Sequence, residues 1–245
     1  MKLNKISIVI PIYNEENYIV KTLEIVASSD TFGLDKEIII VDDGSTDRTK
    51  TQSSKFKDKI KRKNLKIKFI TIFKKKNEGK GAALKEGFLK STGDLVLVQD
   101  ADLEYSPQDY PKLIEPFLTS GVDVVYGSRF ISARPHRVLY FWHNFANNFL
   151  TQFSNMLTNL NLTDMETGYK VFRGNLIRKI APHLKSKRFG FEPEITARLA
   201  KIKNLKIYEV GISYAGRTYE EGKKIGWQDG LFAIWEIIRF NLLPD

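Results

Sequence analysis

Asp94-Leu95-Val96-Leu97-Val98-Gln99-Asp100-Ala101-Asp102-Leu103-Glu104 joins a short apolar run directly to three alternate carboxylates. A continuous apolar run of this length suits a strand covered on both faces. Carboxylates at i, i+2 and i+4 of an extended segment converge on one side. Hard oxygen ligands in that arrangement suit Mg2+ or Mn2+, and such an ion would bridge a diphosphate. Asp100, Asp102 and Glu104 are therefore the candidate metal ligands. Open parallel sheets bind ligands outside the carboxyl ends of their strands, so the place of this cluster matters as much as its composition.

The same pattern repeats outward from there. Residues 6–12 and 37–41 are short apolar runs, and 66–73 reads as a further strand. Between them, 16–28 shows helical spacing through Ile19, Leu23 and Val26, Ser45-Thr46-Asp47 opens a helix with capping residues, and 79–91 is helical again. Pro107 starts a helix running to 117, and 122–126 is a fifth strand. This alternation predicts an α/β fold with a mainly parallel, doubly wound, Rossmann-like sheet and helices on both faces. Three of the five strand ends carry polar clusters. The first strand ends in Pro11-Ile12-Tyr13-Asn14-Glu15, where a ring and an acceptor suit a nucleobase or ribose and a capped turn is the plainer explanation. The second ends in Val41-Asp42-Asp43-Gly44-Ser45. Adjacent carboxylates repel, and they persist more readily if one accepts hydrogen bonds from a ligand. Turn chemistry accounts for Ser45 and Thr46 and leaves Asp43 open between the two roles.

The second half reads differently. Residues 138–162 contain no Lys, Arg, Asp or Glu, and Trp142, Phe145, Phe149, Phe153, Leu157 and Leu160 fall on one helical face. Such a helix packs on the sheet or on a partner subunit. The alternative, an interfacial membrane helix, is weakened by the lack of basic residues. A final helix is expected over 226–243. Arg129 follows the fifth strand, and Arg217 and Lys223 sit in a loop at 217–224. Loop arginines suit phosphate because a guanidinium matches its oxygens bidentately. Glu192 and Glu194, after Gly190, are either general-base candidates or acids that complement a helix N-terminus. No Ser-His-Asp set is present, and the three histidines lack ligand spacing.

The 245 residues fit one compact domain, with 1–130 as a nucleotide-binding part and 131–245 as an acceptor part with a C-terminal helix. Hydrophobic residues at 42% and charged residues at 28% exclude global disorder. The absence of cysteine excludes a disulfide scaffold, a Cys-based zinc site and a thiol nucleophile. The N-terminus lacks a signal-peptide layout, and without an apolar run of about 18 residues no transmembrane helix is expected. The net charge of +10 favours polyanions. Eleven Lys or Arg residues and one acid lie between Lys55 and Lys76. They protect an edge strand or attract anionic lipid head groups. Nucleic-acid binding has no motif to support it.

Together these motifs resemble glycosyltransferase family 2, inverting enzymes with a nucleotide-diphospho-sugar-binding A-type fold. The ordered set is residues 8–15, then Val41-Asp42-Asp43-Gly44-Ser45, then Gln99-Asp100-Ala101-Asp102. Within that family the chain looks most like dolichyl- and polyprenyl-phosphate sugar synthases, through residues 100–104, Gly127-Ser128-Arg129, Gly190-Phe191-Glu192 and the 217–223 loop. The resemblance implies metal-assisted single displacement, with Mg2+ or Mn2+, of a hexose from GDP-mannose or UDP-glucose onto a polyprenyl phosphate. It also implies that Pro11, Tyr13, Glu15, Val41, Asp43, Asp100 and Ala101 line the nucleotide pocket. Asp102 and Glu104 would bind metal, and Arg129, Arg217 and Lys223 would contact phosphates. Asp102, Arg129 and Glu192 become the catalytic candidates. Two positions depart from the mannosyl members: Glu104 stands where glutamine is common, and residues 163–170 replace a small-residue form. The expected setting is peripheral, at the cytoplasmic face of an anionic membrane, compatible with a homo-oligomer or a membrane-protein partner. The 214–225 loop is expected to close over the diphosphate. Rival readings are a saccharide or protein acceptor with Glu192 or Glu194 as base, a nucleotidyltransferase, and a non-catalytic anion-binding module. A nucleotidyltransferase would carry a Gly-rich basic loop after the first strand, and the intact acids at 100, 102 and 104 argue against a decayed site.

Overall fold

The computed structural model describes residues 2–62, 66–131, 138, 140–216 and 227–243. Its first strand, β1 (Lys5–Ile12), shows why the apolar runs are continuous. Ile6, Ile8, Ile10 and Ile12 enter one core cluster and Val9 enters another on the opposite face. Both faces of the sheet are therefore dry, and alternation with polar residues is lost. Helices α1 (Ile19–Ser28), α2 (Thr49–Arg62) and α4 (Tyr110–Thr119) supply the first cluster. Helices α3 (Lys80–Lys90), α5 (Phe141–Thr158), α6 (Gly174–Ile180), α7 (Phe191–Ala200) and α8 (Trp227–Leu242) supply the second.

The remaining strands are β2 (Asp35–Asp42), β3 (Ile67–Phe73), β4 (Leu95–Val98), β5 (Val124–Ser128), β6 (Lys170–Arg173) and β7 (Ile207–Gly211). They form one sheet in the order β3-β2-β1-β4-β6-β5-β7. The pairs β1·β2, β2·β3, β1·β4 and β5·β7 are parallel, while β6 runs antiparallel to both β4 and β5. The expected mainly parallel sheet with helices on both faces is present, with two strands more than the five read from the sequence.

Two consequences position the site. The strand order reverses beside β1, so the tips of β1 and β4 border a crevice. Because β6 is antiparallel, the segment leading into it arrives at the same end of the sheet as the tips of β4 and β5. Helix α5 anchors that segment with its polar side. Leu150, Thr151, Ser154 and Asn155 are its buried residues, whereas Trp142, Phe145 and Phe149 of the expected stripe are exposed. Asn155 brackets Leu162 by donating to its carbonyl at 2.7 Å and accepting from its amide at 3.1 Å. Thr151 Oγ1 accepts from the Met165 amide. The buried hydroxyl and amide are thus explained by backbone groups that need partners.

Candidate active site

At the β4 tip the chain turns sharply, with Leu103 in the left-handed region at φ 62°. Gln99 is fully buried, and its Oε1 accepts from the hydroxyls of Tyr110 and Tyr169, both at 2.7 Å. Asp100 faces Lys80, whose Nζ lies 3.0 Å from Oδ1 and 3.1 Å from Oδ2. The same ammonium reaches Glu192 Oε1 at 3.1 Å. Burial works against the charge on Lys80, and the two carboxylates more than offset it, holding the lysine well above its ordinary range. The Ala101 carbonyl accepts from Thr22 Oγ1 at 2.8 Å. Asp102 Oδ1 accepts from the Glu104 amide at 3.1 Å, and Glu104 Oε2 accepts from the Tyr214 hydroxyl at 2.8 Å. The Ala215 amide bonds the Glu104 carbonyl, so residues 214–215 are sewn to this turn. Arg217 and Lys223, just beyond, lie outside the described residues.

At the β2 tip the two acids divide their work. Asp43 accepts from the amides of Glu78 and Gly79, the latter at 2.6 Å, and pairs with Lys74 at 2.7 Å. It closes the entry to α3, where amide hydrogens and the helix dipole favour a carboxylate. The turn between demands glycine: Gly44 has φ +79°, and a Cβ there would meet the Lys76 carbonyl carbon at 2.7 Å. Asp42 accepts from the Ser45 amide through Oδ1, while its Oδ2 is buried without a hydrogen-bond partner. Of the nucleotide-pocket residues expected at β1, Tyr13 is partly exposed, Glu15 is buried with its amide bonded to Thr49 Oγ1, and Pro11 pairs in register with Val41.

The β5 tip carries Arg129. Two of its donors go to Asp164, Nε to Oδ2 at 2.6 Å and Nη2 to Oδ1 at 2.7 Å. Asp164 is fully buried, and the guanidinium also stacks over Tyr214 at 5.2 Å. The residue expected from the sequence to contact phosphate thus also has a bidentate carboxylate partner. The same segment is held from β7, since Glu209 accepts from the amides of Thr163 and Asp164. Lys170 is buried in β6 and donates to the carbonyls of Met165 and Thr167.

Helix α7 separates the two base candidates. Glu194 is fully buried and accepts from the amides of Lys185 and Ser186 and from Arg198 Nε. It staples the chain before α7, and the base role weighed for it gives way to that. Glu192 turns towards Lys80, and its Oε2 is buried with no hydrogen-bond partner.

The structure therefore gathers Asp100, Lys80 and Glu192 in one contact chain and places Asp102 and Glu104 on the adjoining turn. It does not assemble a cage: among the described residues no three His, Cys, Asp or Glu side chains stand close enough to hold a metal ion alone. Mg2+ commonly takes one or two carboxylates and completes its shell with substrate phosphates and water. Asp102 and Glu104 fit that mode by donor chemistry, while Asp100 is engaged by Lys80. Lys80 was not read from the sequence. A signal existed, because a cation in the first turn of a helix opposes the dipole and needs another reason to be there.

The family Glycosyl transferase family 2 matches over residues 7–181. An undecaprenyl-phosphate 4-deoxy-4-formamido-L-arabinose transferase of Edwardsiella ictaluri is 27% identical over 219 residues, covering 89% of this chain and 62% of that protein. A dolichol-phosphate mannosyltransferase of Pyrococcus furiosus is 35% identical over 127 residues, covering 52% of this chain and 34% of that one. The chain thus spans less than two thirds of the length of these relatives. Among solved structures, glucosyl-3-phosphoglycerate synthase from Mycobacterium tuberculosis, in complex with Mn2+, UDP and phosphoglyceric acid, aligns with a TM-score of 0.70. The alignment covers 99% of this chain and 80% of that one at 19% identity, a likeness of fold.

Proposed function

Since this chain belongs to glycosyl transferase family 2, we propose that it is an inverting hexosyltransferase acting from GDP-mannose or UDP-glucose onto a polyprenyl phosphate, with residues 1–245 as one catalytic domain. The observation that carries this reading is the β4 tip, where Lys80 clamps Asp100 and the acids at 102 and 104 follow at a strand-order reversal. The undecaprenyl-phosphate and dolichol-phosphate activities of the two relatives support a polyprenyl-phosphate acceptor.

In this reading Asp100, oriented by Lys80, accepts from the ribose, and Tyr13, Glu15 and the β2 tip border the base. Asp102 and Glu104 would hold Mg2+ or Mn2+. Such an ion, when bound, supplies Lewis-acid stabilisation of the diphosphate charge. Phosphate contacts fall to Arg129, Arg217 and Lys223, and Arg129 also positions the 163–165 segment through Asp164. An acceptor phosphate oxygen forms the new bond to the anomeric carbon as the bond to the diphosphate breaks and its electron pair leaves with the nucleotide. The phosphate is already an anion, so no strong base is required. A hydroxyl acceptor would need one. Glu192, with Oε2 unpartnered and Glu194 otherwise engaged, is the residue that would serve.

We assign membrane attachment to the α5–α8 face, where Trp142, Phe145, Phe149, Leu231, Phe232 and Trp235 are exposed. Among the described residues no helix is long and apolar enough to cross a membrane. The basic stretch does not reinforce that face: α2 packs on the other side of the sheet, and Lys59, Lys68 and Lys74 have carboxylate partners. Attachment from the cytoplasmic side then rests on apolar contact more than on charge.

The test is transfer. The full chain with Mn2+ and either UDP-glucose or GDP-mannose should convert a detergent-solubilised polyprenyl phosphate into a lipid-linked sugar. Turnover onto free saccharides with none onto the lipid would overturn the acceptor assignment.

A further inference from the structure

Residues 163–170 depart from the family's small-residue form, and so far they serve only as a support for Arg129. Two side-chain oxygens there have no hydrogen-bond partner although they are buried, Glu166 Oε1 and Thr167 Oγ1. Glu192 Oε2 is a third, on a residue only 4% exposed. A buried oxygen without a donor is unfavourable unless a ligand supplies one.

The backbone beside the first two and the residue that carries the third both reach Asp100. A Cβ on Gly168 would lie 2.2 Å from Asp100 Oδ2, so the backbone after Glu166 and Thr167 runs against Asp100. Lys80 ties Glu192 to the same Asp100. Burial, and after it the charge of Glu192, push the Glu166 carboxyl upward. The segment is fixed on both sides of Glu166. Asp164 is held by Arg129, the Met165 amide by Thr151, the Met165 and Thr167 carbonyls by Lys170, and the Gly168 amide by Tyr105. Glu166 is therefore a held acid, and its buried, unpartnered oxygen lies in a defined place.

We propose that Glu166 Oε1, Thr167 Oγ1 and Glu192 Oε2 form the polar wall that hydrogen-bonds hydroxyl groups of the transferred sugar, and that Glu166 is the residue that discriminates between sugars on one nucleotide. The inference rests on the donor reading above. Lys80 and Lys170 offset most of the acid charge here, which suits a neutral sugar with free hydroxyls better than a cationic one. Sites built to bond a hydroxyl reject analogues that leave the buried group unpaired.

Calorimetric titration of the full chain in Mn2+ tests this with UDP, UDP-glucose, GDP and GDP-mannose. Glu166→Ala should weaken the nucleotide sugar by roughly tenfold while leaving the matching nucleoside diphosphate within about twofold, as expected for one lost hydrogen bond that leaves its buried partner unpaired. Thr167→Val should act in the same direction, and Glu166→Gln should recover part of the loss. The unchanged diphosphate affinity also shows that each variant is folded. Equal loss for diphosphate and nucleotide sugar, or no loss for either, overturns the sugar-wall assignment alone. Failure of the wild-type chain to bind any of the four ligands overturns the donor reading and this inference with it.

Discussion

Replacing Lys80 by methionine removes one charge and keeps the length of the side chain, which isolates what the ammonium does. Lys80 lies about 3 Å from carboxylate oxygens of two residues, Asp100 and Glu192. At an effective dielectric of about 20, each pair at this distance is worth roughly 5 kcal/mol before desolvation. Desolvation removes much of that, and breaking a buried pair costs about 3–5 kcal/mol because the partner is left uncompensated. The lysine side chain is 19% exposed, so solvent screens part of the loss. We expect Lys80→Met to lower stability by about 2–4 kcal/mol, which for a chain of this size is roughly 5–15 °C in Tm. Lysine held above its ordinary 10.5 contributes stability that is complete below that pH and is lost only at still higher pH. The deficit should therefore be flat from pH 6 to 9. Calorimetry across pH measures this, and Glu192→Gln in the same chain should restore part of the loss. A Tm drop under about 2 °C, or no recovery in the double variant, would refute the reasoning.

Further outcomes follow from other contacts. Asp102→Asn should abolish metal-dependent turnover with little change in Tm, and Glu104→Gln should be milder; full activity of Asp102→Asn removes the metal assignment. Gly168→Ala drives a methyl into Asp100 and should cut turnover at least tenfold while the chain stays folded by circular dichroism. Burial raises the Glu37 carboxyl, but hydrogen bonds from Lys68, Ser7 and Thr92 outweigh it and bring it down to about 2. The stability this contributes, about 3 kcal/mol, is present above pH 4.5 and lost as pH falls towards 2, so Glu37→Gln should flatten the acid limb of a denaturation profile. Trp142→Ser with Phe145→Ser should weaken sedimentation with lipid vesicles several-fold at any salt concentration; an unchanged bound fraction rules out the α5 face.

The sequence made β1, β2, β4 and β5 legible because their apolar runs are buried on both faces, and the half-buried edge strand β3 legible through its isoleucines and phenylalanines. It hid β6, where only Val171 and Phe172 stand between Lys170 and Arg173, and a buried lysine looks like a solvent-facing one. The aromatic stripe of α5 misled for a related reason. The helix turns Thr151 and Asn155 inward because the following loop needs hydrogen-bond partners, a demand that hydrophobic spacing does not record. The acids at 100, 102 and 104 stood out by their place at a strand tip. The roles of Asp43 and Arg129 depend on partners 35 or 36 residues away, Glu78 and Gly79 for one and Asp164 for the other, and no local pattern announces them.

The late arrival of β6 shapes how the chain is made. β4 ends at Val98, and the strand that covers its outer edge begins at Lys170. At a synthesis rate of about 5–20 residues per second, that interval lasts roughly 4–14 s. During it, β3-β2-β1-β4 can assemble with Leu95, Val96, Leu97 and Val98 along an open edge, a template for pairing with a neighbouring chain. A nascent chain halted before residue 170 is accordingly the species most in need of a holding chaperone, and fragments that stop there should precipitate where the full chain does not.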